Sequence, residues 1–402
     1  MTKTGPRLRF HKGMGILPVV AASMMFAATT MGASAAPSSS LHTINPWLPV
    51  ATHSTQNFQG TITKQTTMIK SNLESSPFTL SSTETIETCQ NSTVAPTYNK
   101  LAQGKFWEYA SPGGAIGGDS TMLKGTDNAM WYVSKENNIV RANRKGVFTV
   151  CPIPSAGEYV LGLANGPDGA VWFTETSAGK IGRIKVLEFG NATDLVSITE
   201  FSGEIAAPTG IATGPDHNLW FSETDGNRID EMSVGGTGVS YTLPTADSGP
   251  AGLVTGPQHS LWFTEVNHSR IGRITTQGVL TEYTGIIAVP IDIAVGPDNN
   301  LWYTDPEFRA IGRLTPDGES SIFGGIRAGG IPIFITNVGD GKTLAFSEGR
   351  GVIGRITTSG HITEIGIPNE TDIFGIAASG DGCTVAFTQY NEATLGKFTF
   401  KD

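Results

Sequence analysis

Cysteine, positive charge and long apolar runs are all scarce in this chain. Cysteine occurs three times in 402 residues, at Cys89, Cys151 and Cys383. The three are far apart and lack a CxxC spacing, which argues against a zinc site and against a thioredoxin-like redox motif. One disulfide plus one free thiol is open to an exported protein, and the sequence does not select the pair. The 27 Lys and Arg are outnumbered by 36 Asp and Glu, for a net charge of −9. The first 36 residues hold four of those cations and no acid, so their removal takes the net charge from −9 to −13. Affinity for nucleic acid comes mainly from clustered Lys and Arg neutralising phosphates, so a nucleic-acid partner is not expected. Beyond one run near the start, no apolar stretch is long enough to span a bilayer. No segment shows helical periodicity, which leaves the α/β classes without support.

The single apolar run, Met14 to Met31, follows Lys3, Arg7, Arg9 and Lys12 and precedes Ala33-Ser34-Ala35. That is the tripartite secretory pattern. It predicts a signal peptide over 1–35, cleavage after Ala35 or Ala36, and a mature protein that is secreted or displayed outside the cytoplasm. An uncleaved membrane anchor is the alternative reading of the same run.

Self-similarity organises the rest. Four copies of one pattern stand out: Gly166-Pro-Asp-Gly-Ala-Val-Trp-Phe-Thr-Glu175, Gly214-Pro-Asp-His-Asn-Leu-Trp-Phe-Ser-Glu223, Gly256-Pro-Gln-His-Ser-Leu-Trp-Phe-Thr-Glu265 and Gly296-Pro-Asp-Asn-Asn-Leu-Trp-Tyr-Thr-Asp305. Weaker copies flank them at Gly125, Gly339 and Gly380, so the tryptophan position falls at 131, 172, 220, 262, 302, 345 and 386. A period near 40 residues signals stacked supersecondary units. Within each unit, β-branched and aromatic runs bounded by Gly, Pro and Asp read as four short strands. Seven such units predict an all-β, seven-bladed β-propeller of four-stranded antiparallel blades. The seventh unit stops at its third strand, Leu395 to Phe400. Lys105-Phe-Trp-Glu-Tyr109 is expected to supply the fourth, closing the ring without an open edge. The propeller is then expected over 105–402, and the Ser/Thr-rich residues 36–104 read as a flexible spacer, with one alternating stretch, Thr61 to Ile69, a candidate for order.

The Gly-Pro-Asp-x-x-Leu-Trp-Phe-Thr-Glu run followed by Ile-Gly-Arg-Ile resembles the blade signature of the streptogramin B (virginiamycin B) lyase family, over roughly residues 105–402. The resemblance implies a seven-bladed propeller. It also implies histidines in a Pro-His-(Gly/Ala)-Ile element leading into strand one, with nearby glutamates and Mg2+. The implied reaction opens a cyclic depsipeptide by elimination across its ester C–O bond, a histidine acting as general base. Here the matching positions are Thr209, Ala251, Ile291, Ile333 and Phe374, with Ser120 and Leu161 in the first two units. The family's base is therefore missing.

Of the seven histidines, His11 falls in the signal, His42 and His53 in the spacer, and His217, His259 and His361 in turns on the opposite face. His268 alone lies in a strand two-to-three loop, on the face that strand one is entered from. The acids closing strand two, Glu175, Glu223, Glu265, Asp305 and Glu348, are candidates for a partial ring of oxygen ligands to a divalent cation. The alternative gives each a repeated structural role, bonded to backbone N–H groups or to the arginine of its own Ile-Gly-Arg. Function should break the symmetry, which singles out Tyr159, His268, Asp292, Arg309, Phe334, Arg350 and Phe374 as candidate ligand-face residues around a channel mouth. The favoured expectation is a monomeric binding propeller for a small molecule, glycan or protein, requiring no cofactor. The competing expectation is a magnesium-dependent C–O lyase whose base comes from outside the family pattern, such as Asp292, His268 or the acidic ring.

Overall fold

The computed structural model describes residues 60–401, apart from 113–120, 135, 156–158, 287–288, 328, 369–370 and 390–392. The expected signal over 1–35, spacer residues 36–59 and Ser120 lie outside the described residues. Everything described is strand and turn except one three-residue 3-10 segment, Pro257–His259.

Seven groups of four antiparallel strands follow one another at 123–152, 160–202, 208–242, 250–284, 293–323, 332–366 and 373–400, the last completed by a strand from the N-terminal side. First strands of successive groups pack on one another, and that of the seventh packs on that of the first, so the groups form a ring. Hydroxyls closing strand two tie neighbours together. Thr174 accepts from the Gly162 amide at 2.8 Å and donates to the Thr209 carbonyl of the next blade at 2.8 Å. Ser222 and Thr264 repeat the relay, bonding to the carbonyls of Ala251 and Ile291. The strands approach so closely here that a Cβ on Gly210 would sit 2.3 Å from the Ala251 carbonyl oxygen.

The repeated signature is a packing device. Four of the five strand-two tryptophans are fully buried and stack on the strand-four aromatic of their own blade, Trp172 on Phe201, Trp262 on Tyr283 and Trp302 on Phe323 at 5.3 Å and Trp220 on Tyr241 at 5.7 Å. The Asp of the Gly-Pro-Asp turn accepts the indole N–H, as Asp168 does from Trp172 at 3.0 Å and Asp298 from Trp302 at 2.9 Å. The Ile-Gly-Arg arginine closes the same corner, Arg183 on Asp168 at 2.6 Å and Arg355 on Asp340 at 2.8 Å. An indole N–H left unpaired in such a core would cost about 1–3 kcal/mol, and in blade four, where Gln258 replaces the turn acid, Trp262 donates to the Pro257 carbonyl at 3.0 Å instead. These arginines therefore do not serve the strand-two acids, contrary to one expectation above.

A larger departure concerns the spacer. Residues 61–101 form five strands: β1 Thr61–Gln65, β2 Thr67–Asn72, β3 Ser75–Thr79, β4 Ser81–Thr93 and β5 Thr97–Leu101. They run around the outside of the ring against the outermost strands of blades five, four, three, two with one, and seven in turn. Strand β6, Gly104–Ala110, then pairs with Thr394–Phe400 as the fourth strand of blade seven. Serine and threonine suit such a belt because its stability comes from backbone hydrogen bonds and its outer face meets water. The disulfide joins Cys89 of β4 to Cys151 of blade one, leaving Cys383 free, and so fastens belt to ring.

Candidate functional site

The residues leading into strand one and the loop between strands two and three meet on one face of the ring. The Thr176 amide donates to the Tyr159 carbonyl at 3.0 Å and the Val266 amide to the Gly249 carbonyl at 3.1 Å. The strand-two acids close their strands at this face. Glu223, Glu265, Asp305 and Glu348 are 0% exposed and Glu175 is 1% exposed, so none reaches a ligand directly.

Each acid sits in its own blade, and most face a second carboxyl. In blade two, Glu175 accepts from the Ser155 hydroxyl, while Glu200 takes the Ser155 amide at 2.8 Å and Lys180 at 3.0 Å. In blade three, Arg228 bridges Glu223 at 2.9 Å and Asp230 at 3.5 Å. In blade four, Glu265 neighbours Glu282, which holds Arg270 at 3.2 Å. In blade six, Glu348 neighbours Glu364, which holds Arg327 at 3.1 Å. Blade five carries Ile322 at the position of Glu282, and Asp305 takes the Phe308 amide at 3.0 Å.

Burial disfavours the charged form of a carboxyl, and a second carboxylate beside it adds to the effect. Burial, then Glu282, lifts Glu265 to about 8. Burial, then Glu364, lifts Glu348 to about 9. Burial lifts Glu175 and Asp305 to about 7 each, and burial with Glu223 beside it raises Asp230 well above the usual carboxylate range. Glu200 goes the other way, because bonds from Ser155 and Lys180 outweigh its burial. Most of these pairs therefore hold a proton near neutral pH. The strand-four partners were missed at the sequence level, although Ile198-Thr-Glu-Phe, Leu280-Thr-Glu-Tyr and Ile362-Thr-Glu-Ile repeat plainly.

The arrangement does not fit Mg2+. Among the described residues no three of His, Cys, Asp and Glu gather into a ligand set. Three of the four carboxyl pairs are answered by a Lys or Arg on the strand-four partner, and the other by Arg228 between its two acids. The expected acidic ring is instead a set of separate buried carboxyls, one blade at a time.

The symmetry-breaking candidates divide. Phe334 and Phe374, expected at a ligand surface, are 9% and 1% exposed and belong to the core between blades six and seven. Asp292 stands where neighbouring blades carry Gly210 and Gly252, and its carboxylate accepts the Ile335 amide of blade six at 2.8 Å. It clips two blades together; burial lifts it to about 7 against the pull of two backbone amides. Tyr159 and Arg309 are half-buried, and His268 and Arg350 are exposed, as is Phe308 of the strand two-to-three loop of blade five, at 45%. The structure thus keeps His268, Arg309, Arg350 and Tyr159 on the face and withdraws the two phenylalanines from it.

The pattern of blades matches the virginiamycin B lyase family over residues 60–201, 98–284 and 188–402. The chain belongs to that family. It is similar to the structure of a catalytically inactive histidine-to-alanine virginiamycin B lyase from Staphylococcus aureus with quinupristin. Identity is 31%, covering 77% of this chain and 100% of that one, with a TM-score of 0.65. A streptogramin B lyase structure is 29% identical over 74% of this chain and 98% of that one, also at 0.65. The Cps50 (Swd1) β-propeller domain of Myceliophteria thermophila, 10% identical at 0.57 over 76% of this chain and 100% of that one, shares the fold alone. No curated protein matches the sequence. Within the family, this chain's positions leading into strand one carry Thr209, Ala251, Ile291, Ile333 and Phe374 where the family resemblance calls for histidine.

Proposed function

We propose that this member of the virginiamycin B lyase family is a monomeric binding propeller working outside the cytoplasm, taking its ligand on the face that carries Tyr159, His268, Arg309 and Arg350. The observation that carries the reading is the chemistry of the positions leading into strand one. Ala251, Ile291, Ile333 and Phe374 are apolar and at most 8% exposed, so these blades have neither an imidazole nor room for one without repacking. A general base must lie within hydrogen-bond reach of the proton it removes. The strand-two acids are enclosed by their own blades and do not meet that condition.

The half-buried and exposed groups around the face suit a polar small molecule or glycan, with Phe308 as an apolar contact and two arginines as donors. Equilibrium dialysis against quinupristin, with the ligand's mass read afterwards, tests the reading. Bound or free, quinupristin should return intact, and retention should fall on Arg350→Ala. Recovery of the ring-opened product would replace the binding reading with the magnesium-dependent lyase reading.

A further inference from the structure

Blades one to five and seven each gain an outer strand from the belt, whereas blade six ends at Ile362–Gly366 with nothing beyond it among the described residues. An unpaired outer edge invites strand addition. The corner that receives the belt elsewhere is nevertheless built in blade six. In blades five, four and three, a glycine of positive φ ends the turn before strand four, and its carbonyl accepts a belt amide. The pairs are Thr66 to Gly318 at 2.8 Å, Leu73 to Gly278 at 3.0 Å and Leu80 to Gly236 at 2.8 Å. Gly360 makes the same turn, φ +90°, with its amide on the Thr357 carbonyl at 2.8 Å as Gly318 has on Thr315 at 2.9 Å. The Phe323 ring of blade five abuts Gly360 just as Tyr241 abuts Gly278 and Phe201 abuts Gly236.

The belt residues at these corners, 66, 73 and 80, are seven apart. One more step back reaches Gln59. Gly60 ends the belt strand on blade five, its carbonyl accepting the amide of Gly324, just past that blade's outermost strand, at 3.0 Å, as Thr67 stands opposite Thr284 one residue after the Thr66 corner. Twenty-three residues, 37–59, separate Gly60 from the expected cleavage site.

We propose that the open edge of blade six takes His53 to Phe58 of this same chain as a sixth belt segment, with the Gln59 amide on the Gly360 carbonyl, completing the belt around the ring. The register follows from the other corners: Phe58 opposite His361, Gln56 opposite Thr363 and His53 opposite Gly366. The stretch His53-Ser-Thr-Gln-Asn-Phe58 has no proline and the polar composition of β1 to β3.

The native disulfide supplies the test. Cys89 and Cys151 stand five residues from the Val94 to Gly146 corner bond, so alternation along an antiparallel pair puts them at a non-hydrogen-bonded position. Gln56 and Thr363 are the equivalent kind of pair, on the same face of the sheet. In the full chain carrying Cys383→Ser, the double variant Gln56→Cys with Thr363→Cys should form an intramolecular disulfide, read by mass spectrometry of a non-reduced digest. Thr55→Cys with Thr363→Cys, one residue out of register, should not. Equal linking by both, linking only between two molecules, or no link would each overturn the proposal. In the unsubstituted chain, the outward amides of Ile362, Glu364 and Gly366 should exchange with deuterium at least about tenfold more slowly than open amides. Exchange at the open rate would overturn it equally.

Discussion

Phe106→Ala measures how much of the ring's stability rests on closure by β6. Phe106 is 0% exposed, lies directly opposite Phe398, and stacks on Phe387 at 6.1 Å in the core between blades six and seven. Truncating a buried phenylalanine removes its transfer free energy and leaves a cavity, together about 3–5 kcal/mol. Both walls of this cavity are strands held in register by ladders on either side, so little collapse is available and the upper part of that range is expected. Tyr98→Ala on β5 is the comparison. Tyr98 is 50% exposed and touches Trp107 at 5.6 Å, contributing roughly 0.5–1.5 kcal/mol as an aromatic pair. Urea unfolding followed by tryptophan fluorescence should show a lower midpoint for Phe106→Ala at unchanged slope, and a small shift for Tyr98→Ala. A loss below about 1 kcal/mol for Phe106→Ala would mean that β6 is not a core strand and that the ring does not depend on it.

Two further outcomes follow from the site and the belt. Carboxyls raised to about 7, 8 and 9 at Glu175, Glu265 and Glu348 bind protons in the folded chain that the unfolded chain, at about 4.3, has released. Their stabilisation is complete below that unfolded value and is lost as pH rises through 7 to 9, by about 1.4 kcal/mol per pH unit for each proton. Urea melts should therefore weaken from pH 5 to 9, and Glu348→Gln should flatten the slope; stability that climbs across the window would contradict the assignment. The disulfide closes a span of 62 residues, so Cys89→Ser with Cys151→Ser should cost about 4 kcal/mol and expose residues 81–93 to protease, whereas equal midpoints with and without the bond would show that the belt holds on its strands alone.

The ring was legible in the sequence because its signature is a packing unit. Trp172, its Asp168 cap and Arg183 share one corner, and the same three residue types recur at Trp131, Asp127 and Arg141 and at Trp302, Asp298 and Arg313, so the period can be followed through the weaker copies. Closure was legible too, since Phe106 and Trp107 alternate as a core strand does. The belt was not, because an added edge strand is held mainly by backbone bonds, which leave no mark on residue type. Among the described residues of 61–101, only Thr66, Leu80 and Cys89 are buried. Phe334 and Phe374 misled for a related reason: an aromatic that breaks a repeat looks like a ligand contact, yet Phe334, standing where other blades have glycine, and Phe374, standing where the third blade has Thr209, both fill the core between blades six and seven. The carboxyl pairs depend on strands two and four meeting at one face, which periodicity alone does not reveal.

The most direct test of a binding propeller is turnover of a type B streptogramin by the purified mature protein with magnesium, alongside a histidine-bearing family member. Loss of general-base assistance typically costs about 10² to 10⁴ in rate, so ring opening by this protein should be indistinguishable from buffer by mass spectrometry while the relative linearises its substrate. Efficient linearisation that is abolished by His268→Ala or by chelating the metal would contradict the account and make this chain a lyase with its base on the strand two-to-three loop of blade four.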